Sequence, residues 1–226
     1  MARGTSPGNA RGALLALTAF AIYSTHDVVV KILGADYSPF QLVFFSTLFG
    51  FPVVTVMLMT DRSDGNLRPR HPWWVLLRTA ASVVTSVTAF YAFSVLPMAQ
   101  TYAIIFASPL LITLLAIPML GATVGWRRSL AVAVGLLGVM VVLRPGTTDL
   151  GAGHLAALAA AVFSAFAAVI IRKIGAEERS AVLLLYPMMA NFVIMACAMP
   201  FVYRPMPVLH LGGFAMIAVF AFVAAL

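Results

Sequence analysis

Two stretches decide the fold class: LLITLLAIPML at residues 110–120 and LAVAVGLLGVMVVL at residues 130–143. Neither alternates apolar with polar residues, as the strands of an outer-membrane barrel must, so helices are expected. Working outward, apolar runs of helical length bounded by charge, Pro or Gly occupy residues 11–33, 39–60, 72–95, 98–119, 126–143, 151–173, 180–202 and 208–226. At about 20 residues per crossing these are eight membrane spans. Composition agrees. The chain of 226 residues is 62% hydrophobic and 9% charged, against roughly half and a quarter in soluble proteins, and no water-soluble fold hides that surplus. The longest polar connection is residues 61–71, so no soluble domain is expected. Residues 1–11 carry Arg3 and Arg11 ahead of the first run, in outline a signal peptide. The run continues to residue 33 without a clear small-residue cleavage site, which fits a retained anchor.

The net charge of +7 does not point to nucleic acid, because the basic residues stand singly, in pairs or in threes between apolar runs. They read as topology signals. With the N-terminus in the cytoplasm, one side receives eleven: Arg3, Arg11, Arg62, Arg68, Arg70, Arg78, Arg127, Arg128, Arg172, Lys173 and Arg179. The other receives only Lys31, Arg144 and Arg204. This is the bias cytoplasmic loops show, and one missed span would scramble it. Trp73, Trp74 and Trp126 fall at cytoplasmic span starts, where indoles anchor at the interface. Cys197 is the only cysteine, which rules out an intramolecular disulfide and a cysteine-based metal cluster.

Residues 12–36 align with residues 153–177 at eight of 25 positions, including Gly12 with Gly153, Leu17 with Leu158, Gly34 with Gly175 and Ala35 with Ala176. Lys31 then pairs with Arg172, and Asp36 with Glu177. The first span runs outward and its counterpart, the sixth, runs inward, so the repeats are expected to be inverted. Inverted repeats are a recurring plan of secondary transporters, with the substrate site near the midplane between the halves.

The stretch at residues 91–145, YAFSVLPMAQTYAIIFASPLLITLLAIPMLGATVGWRRSLAVAVGLLGVMVVLRP, resembles the EamA-like family of the drug/metabolite transporter superfamily. The resemblance lies in LP at the start of the fourth span, SPL within it, LG followed by WRR, and a glycine-rich fifth span ending in RP. It implies ten helices in two inverted five-helix repeats that move small organic solutes across a bacterial inner membrane. The chain is accordingly divided into a cytoplasmic tail at 1–11, a first repeat at 12–145, and a second repeat at 151–226 of about three helices, with the ninth and tenth expected to be missing. The family's common glutamate after LG is Ala122 in this chain.

The first span holds the most unusual group. Tyr23, Asp27 and Lys31 are spaced four apart on one helix face, with His26 about 100° round from Asp27. Ionisable groups at such depth are functional candidates by default; the competing structural reading is an Asp27–Lys31 ion pair with His26 hydrogen-bonded in the bundle. Arg78 in the third span either snorkels to the interface or binds an anionic group. Ser82, Thr85, Ser86 and Thr88 lead up to Tyr91, and such hydroxyls more often bond their own helix backbone than a ligand. Gln100, Tyr102, Ser108 and Pro109 mark the fourth span, where Pro109 removes a backbone bond. Tyr186 and Asn191 in the seventh are placed to complete a pocket from the other repeat. The candidate substrate-binding set is His26, Asp27, Tyr23, Arg78, Tyr91, Gln100, Tyr102, Ser108 and Asn191. Ala152, Ala156, Ala160, Ser164 and Ala168 form a small-residue stripe for close packing in the sixth span, Gly135 and Gly138 read the same way in the fifth, and His154 lies near the outer interface.

These residues predict an inner-membrane transporter working by alternating access, with a cavity lined by the first, third, fourth, sixth and seventh spans. Its partners are a small-molecule substrate and the lipid bilayer, a homodimer being left open, with no nucleic acid, cofactor or metal. A histidine beside an acid allows proton coupling. A membrane enzyme is disfavoured because HExxH and GxSG are missing from the sequence. A non-transporting subunit or fragment is the other alternative.

Overall fold

A computed structural model describes residues 7–60, 66–143 and 151–225. Among these there are no strands and nine helices: α1 (Pro7–Leu33), α2 (Pro39–Thr60), α3 (Pro72–Val95), α4 (Met98–Ile105), α5 (Ser108–Leu120), α6 (Trp126–Leu143), α7 (Ala152–Ile174), α8 (Ser180–Val202) and α9 (Val208–Ala225). They correspond to the eight expected spans, the fourth being broken into α4 and α5. Among the described residues, Pro39–Met59, Pro72–Val95, Met98–Leu120, Ala152–Ile174 and Ser180–Val202 are long and apolar enough to cross a membrane. Arg3, Arg62, Arg144 and the side chain of Arg11 lie outside the described residues.

The fourth span breaks for a reason visible in its sequence. Pro109 has no N–H for the carbonyl of Ile105, and the Ser108 hydroxyl takes its place, donating to that oxygen at 2.7 Å. The backbone tightens on either side, with Ala107 N–H bonded to Ile104 O and Leu110 N–H to Ala107 O, both at 3.0 Å. Ser108 also reaches α7, at 3.0 Å from the Ser164 hydroxyl and 3.3 Å from Ala161 O. The break thus docks α5 onto α7.

Helix α7 packs along α3 and α5 through small residues. The seam runs through Gly153, Ala157, Ala161, Ala165 and Val169, all buried; of the expected stripe, Ala160 is also buried and Ser164 meets Ser108, whereas Ala152 is exposed and Ala156 and Ala168 are half-buried. The expected stripe thus packs at Ala160 and Ser164, and the fully buried column lies one residue on, about 100° of helix rotation. Alanines occupy both columns, so composition alone does not choose between them. Ala157 meets Ala92, Leu96 and Ile104 in one buried cluster. A second cluster joins α3, α7 and α8 through Val75, Ile170, Ile174, Val182 and Leu183, and a third joins α1, α2, α3 and α9 around Val30, Leu42, Phe93 and Phe214.

The pairings form an exchange pattern. Helix α1 packs on α9 as α7 packs on α3, α2 packs on α9 as α8 packs on α3, and α2 meets α8 directly. The turns agree. Gly34 N–H bonds Val30 O at 2.8 Å and Tyr37 N–H bonds Leu33 O at 3.0 Å; 141 positions on, Gly175 bonds Ile171 O at 2.7 Å and Glu178 bonds Ile174 O at 2.9 Å. Each turn also ties down the start of another helix. The Tyr37 hydroxyl is 2.6 Å from His210 Nδ1, just inside α9. Burial, with Asp36 and Tyr203 nearby, pushes this phenol above its ordinary value, so it keeps its proton. At the equivalent turn, Glu178 accepts the backbone N–H of His71, just before α3, at 2.5 Å, and Glu177 meets the His71 ring at 2.6 Å.

Candidate functional site

Asp27 lies a turn and a half from the end of α1, and both of its oxygens are engaged. His26 Nδ1 is 2.7 Å from Oδ1, and the Tyr102 hydroxyl of α4 donates to Oδ2 at 2.8 Å. The Asp27–Lys31 ion pair of the competing structural reading does not form. Lys31 turns instead to the last carbonyls of α3, donating to Leu96 O at 2.6 Å and Ser94 O at 3.4 Å. Carbonyls at a helix C-terminus lack intrahelical partners and attract a cation, and here that demand prevails over i,i+4 spacing. Gly34 permits the approach, since a Cβ there would stand 2.8 Å from Ser94 Cβ. Asp27 opens on a cavity of about 280 Å³ that is walled by aromatic side chains of α1, α3 and α4.

A second cavity, of about 330 Å³, is lined by α1, α2, α3, α8 and α9. His26 and Phe90 line both cavities, which therefore adjoin. Arg78 reaches into the second, its terminal nitrogen donating to Leu183 O. That carbonyl is open because its helical partner would be the N–H of residue 187, which is proline. Arg78 thus fills an acceptor that α8 itself cannot. Its Nε is buried without a partner, as is Oδ1 of Asn191, whose amide nitrogen donates to the Ser86 hydroxyl at 3.4 Å.

Of the residues singled out in the sequence, His26, Asp27, Tyr23 and Tyr102 come together at the first cavity, and His26, Arg78 and Asn191 at the second. Tyr91, Gln100 and Ser108 line neither, and Tyr186 bonds Leu67 O at 3.5 Å, away from both. The hydroxyls of Thr85, Ser86 and Thr88 return to the carbonyls of Ala81, Ser82 and Val84. The sixth span, α7, contributes to neither cavity because its small-residue seam closes tightly on its neighbours. The second span and the eighth stand where it was expected, through Ser46, Thr47 and Gly50 of α2 and Ile217 and Ala218 of α9. Also unforeseen is Gln41, fully buried, which exchanges two hydrogen bonds of 2.8 and 3.0 Å with the backbone of Arg204. It ties α2 to the α8–α9 connection.

Comparison with known proteins is consistent with this architecture. Residues 10–144 match the EamA-like transporter family. The chain is 26% identical over 163 residues to the S-adenosylmethionine uptake transporter of Rickettsia prowazekii, covering 72% of this chain and 55% of the relative. It is 24% identical over 179 residues to the riboflavin transporter of Vibrio cholerae, covering 78% and 60%. It is 26% identical over 176 residues to the pseudopaline exporter CntI of Pseudomonas aeruginosa, covering 77% and 61%. The matched part of the chain thus spans little more than half the length of these curated relatives.

Proposed function

Since the chain belongs to the EamA-like transporter family, a group of multi-pass proteins of the bacterial inner membrane, we propose that it binds a small organic solute at the two adjoining cavities and passes it across the bilayer by alternating access. One observation carries this reading: the cavities meet at His26 and Phe90, and the larger is lined by helices from both halves of the chain. The exchange pattern of helix pairs and the matching turns support residues 12–145 and 151–226 as two repeats. Opposite orientation of those repeats is supported by which segments meet. The turn after α1 sits with the 203–210 segment, and the turn after α7 sits with His71. With the arginine-rich end, which carries Arg68, Arg70, Arg127, Arg128 and Arg172, in the cytoplasm, rocking of one repeat against the other opens the cavities to either side.

Relatives are named for uptake and for export, so similarity leaves direction open. Coupling to protons is assigned to His26, whose ring Nδ1 stands 2.7 Å from the Asp27 carboxylate. The test is counterflow into proteoliposomes with labelled S-adenosylmethionine and riboflavin, the solutes for which two relatives are named. At least one should accumulate above protein-free vesicles, faster under an imposed pH gradient. In His26→Gln, which keeps a hydrogen bond to Asp27 but has no ring nitrogen to take up a proton, the response to the gradient should vanish. No flux of either solute through folded protein would contradict the transport reading, and an unchanged response in the variant would remove His26 from coupling.

A further inference from the structure

The cavity beside Asp27 has a chemistry of its own, and we infer that it receives the cationic centre of an organic onium solute: a quaternary ammonium, a sulfonium or an N-alkylated heteroaromatic group. This deepens the transport reading and rests on it only for the passage of the solute, since binding is read separately. A carboxylate has about four acceptor positions. Those of Asp27 are met by one bond from His26 and one from Tyr102, and the nearest lysine of its own helix, Lys31, is committed to α3. No lysine or arginine lines this cavity. While His26 carries no charge, the negative charge of Asp27 is therefore presented to the space in front of it.

That space is walled by Phe20, Tyr23, Phe90, Phe93, Tyr102 and Phe106. The rings form a connected wall: Phe93 and Tyr102 have centroids 5.5 Å apart, Tyr102 and Phe106 5.4 Å, and Phe20 and Phe106 6.5 Å. Phe93 is buried at the back while Phe20 and Phe106 are more than half exposed at the mouth. Aromatic faces attract a cation through the ring quadrupole and do so best when its charge is spread over apolar groups, as in quaternary ammonium ligands. A small inorganic cation needs a shell of oxygens, whereas the side-chain oxygens here, those of Asp27, Tyr23, Tyr102 and Ser24, are set in a wall made mostly of rings. An anion would meet Asp27 directly. The positive counterpart, Arg78, stands 12 residues from Phe90 along α3, roughly 18 Å at about 1.5 Å per residue. The two charges therefore mark separate ends of the joined cavities, and the onium end is the Asp27 end.

Isothermal titration calorimetry on the protein in nanodiscs tests this with phenyltrimethylammonium as cationic probe, benzoate as anionic probe and sodium chloride as inorganic control. Phenyltrimethylammonium should bind, and Asp27→Asn, which keeps the shape, should weaken it at least ~10-fold by removing a charge in a low-dielectric site. Phe90→Leu should weaken it by ~3-fold through loss of one aromatic face and serves as the second variant should the first fail to fold. Benzoate binding should not fall in Asp27→Asn. The inference is overturned if phenyltrimethylammonium does not bind, if neither variant changes its affinity, or if sodium competes with it at equal concentration. Binding without counterflow would sink the transport reading alone; counterflow of a solute that is indifferent to Asp27→Asn and Phe90→Leu would sink this one.

Discussion

Ala157→Leu is expected to be among the most destabilising single substitutions in this chain, while Ala152→Leu, five residues earlier on the same helix, is expected to be nearly silent. Ala157 has no exposed surface and sits among Ala92, Leu96 and Ile104, where α7 lies against α3 and α4. Three extra carbons have nowhere to go, and overpacking a tight interior costs about 1–3 kcal/mol and sometimes more. In a bilayer the loss has a further consequence. Helices there associate through close packing rather than through a hydrophobic drive between them, so a wedge in a small-residue seam separates them. Ala152 faces outward, and a surface substitution of this kind stays within about 0.5 kcal/mol. Melting temperatures of the two variants in detergent, compared with the parent, decide the matter; equal losses would place the seam in the wrong register.

The second large effect is a coupling rather than a loss. Arg78→Met strands the Leu183 carbonyl, because Pro187 offers that oxygen no N–H. Leaving a buried acceptor unmet costs about 1–3 kcal/mol. In a Pro187→Ala background the helix supplies its own N–H to Leu183, and Arg78→Met should then cost little on that account. A double-mutant cycle on stability should therefore return a coupling energy of order 1–2 kcal/mol between residues 78 and 187. Pro187→Ala alone should leave the guanidinium less firmly held and so looser in the cavity it lines. If the two substitutions prove additive, Arg78 is not held by the carbonyl that proline frees.

How much of this was legible in the sequence depends on whether a feature is local. The spans follow from hydropathy alone, and the break in the fourth is written in Ser108 and Pro109, where the loss of one backbone bond was expected. The α7 seam was legible in part, at Ala160 and Ser164; alanine fills two adjacent columns, and the shape of α3 selects the more deeply buried one. Lys31 illustrates a different limit. Its spacing from Asp27 is right for an ion pair, but the open carbonyls at the end of α3 lie 65 positions away in sequence and no periodicity announces them. Asp27, His26 and Arg78 stood out because charge in an apolar span is rare. The α2 residues Ser46, Thr47 and Gly50 did not, being small, uncharged and interchangeable with packing residues. Gln41 is visible as an amide near a span start, but its partner, the backbone of Arg204, has no signature. The His71 contacts were similarly hidden, though the repeat that aligns Asp36 with Glu177 put the turn holding them within reach.

The most direct test concerns Ala35 and Ala176, matched residues of the two repeats, each exposed in the turn that follows α1 or α7. With Cys197 replaced by serine, a single cysteine is placed at one or the other, and intact cells are treated with a membrane-impermeant maleimide. Two oppositely oriented repeats require Ala35→Cys to react from outside, and Ala176→Cys only after the membrane is permeabilised. Reaction of both from the same face would contradict the inverted arrangement on which the shared cavity and its alternating exposure depend.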